Sequence, residues 1–145
     1  MSHITRFDHI GITVADLDAA TAFFTKLGLE VEGTGSVEGE FIEAVCAIPG
    51  AKCNIVMLKS PDGYNLELAS FVRPAHTPGS PDALANELGL RNVSFEVEDI
   101  QAAVDACAED GYGLVGRIGE YQGAVKMAYV RGPEGIVVSL FQRLG

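Results

Sequence analysis

Basic residues are scarce in this 145-residue chain: ten Lys and Arg stand against twenty Asp and Glu, for a formal charge of −10 and a pI near 4.6. A surface of that sign repels phosphate backbones and anionic membranes, which argues against nucleic-acid and membrane partners. Long apolar runs are missing as well. The opening MSHITRFDH reads as neither a signal peptide nor the start of a transmembrane helix. Cysteine is rare and odd in number, with Cys46, Cys53 and Cys107 at no framework spacing. That argues against a disulfide scaffold and implies reduced thiols in the cytoplasm, each a small core or near-surface residue. There is no phosphate-binding loop and no Cys/His zinc spacing. The glycine-rich GTGSVEG at 33–39 follows a helix and has the wrong spacing for a dinucleotide site. With 48% hydrophobic and 21% charged residues, the chain reads as one globular domain, or as two small modules sharing a core.

What the chain does contain is a repeat of itself. FDHIGITVADLDAATAFFTKLGL, from Phe7, is answered by LRNVSFEVEDIQAAVDACAEDGY, from Leu90. His9 meets Asn92, Asp16 meets Asp99, Leu17 meets Ile100 and Gly28 meets Gly111, each pair 83 residues apart. SPDGYNLELASF, from Ser60, is answered by GPEGIVVSLFQR, from Gly132. There Pro61 meets Pro133, Gly63 meets Gly135, Glu67 meets Ser139 and Leu68 meets Leu140 at a constant 72. Order is kept while the spacing shortens by 83 − 72 = 11, as a tandem duplication with a loop deletion would produce.

Each half opens with an alternating apolar strand, HIGITV or NVSFEV. An amphipathic helix follows, capped by Asp16 or Asp99 and closed by Gly28 or Gly111. Leu17, Ala20, Phe24 and Leu27 share one helix face, as do Ile100, Ala103, Val104 and Cys107. Three strands are expected after each helix, at about 39–48, 53–59 and 64–71, and at about 113–119, 124–130 and 135–142. SPDG and GPEG supply hairpin turns. The fold class is therefore α+β: two tandem βαβββ modules, about 4–71 and 90–142, joined by a proline-bearing segment at 72–89 that is an ordered linker or a mobile loop. One helix covers only one face of such a small sheet. Two modules side by side would form a curved mixed sheet around a cleft, the default place for a small ligand.

These segments, DHIGITVADLDAATAFFTKLGL, SPDGYNLELASF, NVSFEVEDIQAAV and VRGPEGIVVSLF, resemble the vicinal oxygen chelate superfamily over about Ile4 to Gln142. That superfamily holds glyoxalase I, methylmalonyl-CoA epimerase, extradiol dioxygenases, fosfomycin-resistance enzymes and bleomycin-resistance proteins. The resemblance implies the glyoxalase/bleomycin-resistance fold within a single 1–145 domain, and a two-fold homodimer. It is a poor guide to the reaction, because the fold hosts many. In metal-dependent members, ligands come from the first and last strands of each module. Carried over, His9 and Glu67 stand at the first histidine and carboxylate positions, while Asn92 and Ser139 occupy the second pair. Two of four ligands are thus kept, and a catalytic cation wants three or more.

The residue types suggest a cleft rather than a metal centre. Glu67 lies between Leu66 and Leu68, so it shares a strand face with Asn65 and Ala69 and looks into the cleft if the leucines pack under the helix. Asn92 and Ser139 are expected to line the cleft as hydrogen-bonding groups. Phe41, Met57, Met127, Tyr129 and Phe141 could floor an apolar pocket, although each alone suits an ordinary core. His3, His76 and the acidic cluster Glu38–Glu40 with Glu43 are expected to be solvated. The resulting expectation is a cytoplasmic, metal-independent binding protein that sequesters a small apolar or aromatic molecule, as antibiotic-resistance members do, with no cofactor. The alternative is a glyoxalase-like lyase, isomerase or epimerase with Ni, Zn, Mn or Fe held by His9 and Glu67.

Overall fold

A computed structural model describes residues 2–145, which divide into two compact units meeting at Pro78 and Gly79. The first unit runs β1 (His9–Thr13), α1 (Leu17–Leu27), β2 (Glu30–Glu38), α2 (Glu40–Cys46), β3 (Lys52–Lys59) and β4 (Asn65–Arg73). The second runs β5 (Val93–Glu96), α3 (Ile100–Glu109), β6 (Gly119–Tyr121), β7 (Val125–Arg131), a 3₁₀ turn (Pro133–Gly135) and β8 (Val137–Arg143). Each unit holds a four-stranded mixed sheet, ordered β1-β4-β3-β2 in one and β5-β8-β7-β6 in the other. The first strand of each is parallel to the last, and the remaining pairs are antiparallel.

The long helices start and stop where their capping chemistry demands. Asp16 Oδ1 accepts from Ala19 N at 2.9 Å, and Asp99 Oδ1 from Ala102 N at 3.0 Å, satisfying donors that a helix start otherwise leaves unpaired. Both ends close in the same way. Gly28 N donates to Thr25 O and Leu29 N to Phe24 O; Gly111 N donates to Ala108 O and Tyr112 N to Cys107 O. Gly28 (φ 120°) and Gly111 (φ 88°) supply the positive φ that this closure requires.

Strand alternation then builds the core. In the first unit Val56, Leu58, Leu66 and Leu68 are buried with Ala20, Phe23 and Phe24 of α1, which packs on β4; the two rings meet edge to face at 5.2 Å. In the second, Ala128, Val130, Val138 and Leu140 are buried with Ile100, Val104 and Cys107 of α3. Each fully buried Leu or Phe is worth about 1.5–3 kcal/mol.

The two sheets repeat each other in register. In the β1–β4 pair, Ile10 lies beside Leu66, Gly11 beside Glu67, Ile12 beside Leu68 and Thr13 beside Ala69. Adding 83 to the first residue and 72 to the second reproduces the β5–β8 pairs Val93–Val138, Ser94–Ser139, Phe95–Leu140 and Glu96–Phe141. The offset changes between β2 and β3. Gly35 faces Ile55 in the first sheet and Gly119 faces Met127 in the second, giving 119 − 35 = 84 and 127 − 55 = 72. The residues missing from the second unit therefore lie between Gly35 and Ile55, the stretch that holds α2.

That insertion explains the main departure from the sequence reading. The expected strand at 39–48 is helix α2, and the second strand is β2, at 30–38. EFIEAVC places Phe41 and Val45, and Ile42 and Cys46, four residues apart, a helical spacing that its run of apolar residues obscured. β2, with two glycines and exposed almost throughout, carries little strand signal. The expected strand at 113–119 is irregular: Leu114 forms an isolated bridge to Val130, and the regular strand starts only at Gly119.

The segment between the repeats is tied down in two places. His76 is exposed, and it also accepts a hydrogen bond from Phe71 N at 3.0 Å and sets its ring edge-on to Phe71. Farther along, Arg131 donates to Pro81 O at 2.9 Å and to Ala83 O at 2.8 Å. Glu38 and Glu40 of the acidic cluster are exposed, and two of its carboxylates also find partners. Glu38 pairs with Arg73 at 2.9 Å and Lys52 at 3.7 Å, and Glu43 accepts from Gly50 N at 2.7 Å.

Candidate functional site

In the first unit, strand parity puts Leu66 and Leu68 under α1 and turns Glu67 to the opposite face of the sheet. Register aligns Gly11, Glu67, Met57 and Gly33 in one row across four strands, with Thr13, Ala69, Ile55 and Gly35 in the next. A carboxylate thus rises from a floor of small and thioether side chains. His9 stands at the head of β1, its side chain 34% exposed, with Nε2 at 3.6 Å from Glu67 Oε2. Its other nitrogen, Nδ1, lies 2.7 Å from Asp8 Oδ2, and Asp8 in turn pairs with Arg6 at 2.7 Å. An Nδ1–H donated to Asp8 leaves Nε2 facing Glu67. The His9 hydrogen bond, followed by the charge of Arg6, holds the Asp8 carboxyl below the usual aspartate range.

Asn65, beside His9 in register, is less available than its position suggests. Its amide donates to Leu58 O at 3.0 Å and to Glu32 Oε1 at 3.4 Å. Cys53 is buried, and that burial, with the nearby charges of Cys46 and Glu67, pushes its thiol above the usual range. Phe41, expected on a strand, belongs to α2 and is 72% exposed.

The second unit presents a different row. Ser94, Ser139 and Tyr129 are neighbours in register on the face turned away from α3, with Glu96, Phe141 and Met127 in the next row. Ser139, the one buried polar side chain among the described residues, is 2% exposed. Asn92 precedes β5, two residues from Ser94. Arg143, two residues beyond Phe141 on β8, sets its guanidinium carbon 5.4 Å from that ring's centre and its Nε 3.2 Å from Glu96 Oε2.

Structure therefore brings His9 together with Glu67, sets Met57 beside them, and groups Ser139, Tyr129, Phe141 and Met127. The sequence reading missed Asp8, Ser94 and Arg143. The period-2 rule held the signal for the last two, since Ser94 shares parity with Asn92 and Arg143 with Phe141. Asp8 lies outside the strand and carried no such signal. Among the described residues, no group of three or more His, Cys, Asp or Glu side chains is assembled for a metal ion. No helix among the described residues is long and apolar enough to cross a membrane.

A sequence model of the glyoxalase/bleomycin resistance protein/dioxygenase superfamily matches residues 8–129. Among solved structures, a glyoxalase family protein from Bacillus cereus is 36% identical, with 99% of this chain and 97% of that chain covered and a TM-score of 0.95. A glyoxylase/bleomycin resistance protein/dioxygenase domain from Frankia shares the fold at 17% identity and a TM-score of 0.68, over 99% of this chain and 93% of that one. A glyoxalase I mutant from Zea mays does so at 15% identity and a TM-score of 0.68, over 97% of this chain but 45% of its own length. Comparison with curated proteins returned no match.

Proposed function

The chain belongs to the glyoxalase/bleomycin resistance protein/dioxygenase superfamily, and we propose that within it this protein is a metal-independent binder of a small apolar or aromatic molecule. The observation that carries this reading is the contrast between corresponding rows of the two sheets. Gly11–Glu67–Met57 holds one carboxylate, and Ser94–Ser139–Tyr129 holds none. Divalent cations held for catalysis usually take three or more protein ligands and keep a position open for substrate. Here one imidazole and one carboxylate converge, and the second nitrogen of that imidazole is engaged by Asp8. Neutral hydroxyl and amide groups at Ser139 and Asn92 add no charge. This donor set does not fit a resident catalytic cation.

The groups suit recognition instead. In the first unit Met57 offers polarisable surface beside the hydrogen-bonding groups of His9 and Glu67; in the second, Met127, Tyr129 and Phe141 offer polarisable and aromatic surface on the sheet that carries Ser139, with Asn92 just before its first strand. Binding would be stoichiometric, withdrawing the molecule from solution without making or breaking a bond. A cytoplasmic two-fold dimer belongs to the same proposal, since β2 is an exposed edge strand that a second copy could cover.

The test is the metal content of protein purified without chelator, followed by calorimetric titration with Ni, Zn, Mn and Fe(II). We expect no stoichiometric metal and no micromolar binding. Stoichiometric metal would overturn the proposal in favour of a lyase, isomerase or epimerase, a reading favoured by the 3.6 Å approach of His9 to Glu67.

A further inference from the structure

The second unit's sheet face says what sort of molecule it would hold. Three hydroxyl groups, those of Ser94, Ser139 and Tyr129, stand in one registered row, where the first unit places Glu67 between a glycine and a methionine. Ser139 is buried at 2% exposure, while Ser94 beside it on the edge strand is exposed.

The next row sets apolar Phe141 and Met127 beside the carboxylate of Glu96 on the edge strand, and Met127 is 43% exposed. Beyond it comes a cation. Arg143 lies over the Phe141 ring with its side chain 69% exposed. Arg131, which shares its strand parity with Tyr129 and Met127, is spent on the carbonyls of Pro81, Ala83 and Gly135. Among the described residues, Arg143 pairs with the carboxylate of Glu96 through Nε, leaving the terminal nitrogens of its fork for another anion.

Spacing limits the size of that molecule. Ser139 and Arg143 are four strand residues apart, about 13 Å of backbone at ~3.3 Å per residue. The lean of Arg143 back over Phe141 shortens the reach to the length of a one- or two-ring skeleton.

We propose that this face takes a planar aromatic anion, its ring against Phe141, Tyr129 and Met127, its carboxylate or sulfonate at Arg143, and a polar substituent at the hydroxyls of Ser94 and Ser139. This rests on the binding reading above and narrows its ligand class from apolar to anionic aromatic. Glu96 is then the internal competitor for the guanidinium, displaced or shared when the ligand binds.

The experiment uses two fluorescent probes with the same ring skeleton, anionic 8-anilinonaphthalene-1-sulfonate and neutral N-phenyl-1-naphthylamine, titrated into the folded full chain at neutral pH. Wild type should bind the sulfonate more tightly. Arg143→Met should weaken the sulfonate about tenfold, in line with loss of one charge-assisted hydrogen bond, and leave the neutral probe within twofold. Glu96→Gln should tighten the sulfonate, and Phe141→Leu should weaken both probes. Arg143→Met with unchanged sulfonate affinity would overturn the anionic class while leaving the binding reading in place. Failure of wild type to bind either probe would remove both.

Discussion

Nδ1 of His9 lies 2.7 Å from Oδ2 of its chain neighbour Asp8, a contact at the head of β1 that fixes which imidazole nitrogen faces Glu67. It also holds the Asp8 carboxyl below the ordinary aspartate range, ahead of the contribution from Arg6. A carboxyl with a lowered folded-state pKa contributes stability above the ordinary aspartate value. That contribution disappears as pH falls through the lowered value, below about pH 4. Carbon-13 NMR of the side-chain carboxyl should therefore show Asp8 titrating below ordinary aspartates. His9→Gln should move its midpoint back up further than Arg6→Gln does. An Asp8 midpoint in the ordinary range would show that the contact does not persist in solution.

Thiol reactivity should rank by burial. Cys46 is partly exposed, whereas Cys53 and Cys107 are buried and Cys53 is held as the thiol. With Ellman's reagent at pH 8, one fast equivalent is expected, lost in Cys46→Ser, and two more should react only on unfolding. A fast Cys53 would contradict its placement.

Two glycines make opposite predictions. A Cβ on Gly135 would stand 2.3 Å from Pro81 O, and its φ is +86°, so Gly135→Ala must shift backbone as well as strain it. Gly35 has nothing within 4 Å of the same atom and no positive φ. Urea denaturation should show Gly135→Ala destabilised by roughly 1–3 kcal/mol or more. Gly35→Ala should be neutral or stabilised by ~0.5 kcal/mol. Equal effects would mean that the turn does not pack on Pro81.

Arg131 anchors the segment between the repeats through Pro81 O and Ala83 O. Arg131→Met should raise amide hydrogen exchange across residues 79–84 while leaving α1 and α3 as protected as in wild type. Limited proteolysis should cut the variant there first. No change in exchange would mean that Gly135 packing alone holds the segment.

Much of the architecture was written in local chemistry. Asp16 and Asp99 cap helices, Gly28 and Gly111 end them, and alternation around Leu66 and Leu68 decides which way Glu67 points, because these choices depend on neighbours within a few residues. The repeat offsets of 83 and 72 even anticipate the register of β5 against β8. What tertiary structure alone decided was everything that depends on distant contact. Whether EFIEAVC coils or extends, and whether glycine-rich EVEGTGSVE can be a strand, was settled by pairing β2 to β3, which local propensity could not report. The commitment of Arg131 to the segment near Pro81 and the pairing of Arg143 with Glu96 join residues across long stretches of chain, and the burial of Ser139 is likewise a property of the folded sheet. Sequence supplies the side chains at such positions. Only the folded sheet brings them within a few ångströms, where desolvation and charge determine what they can bind.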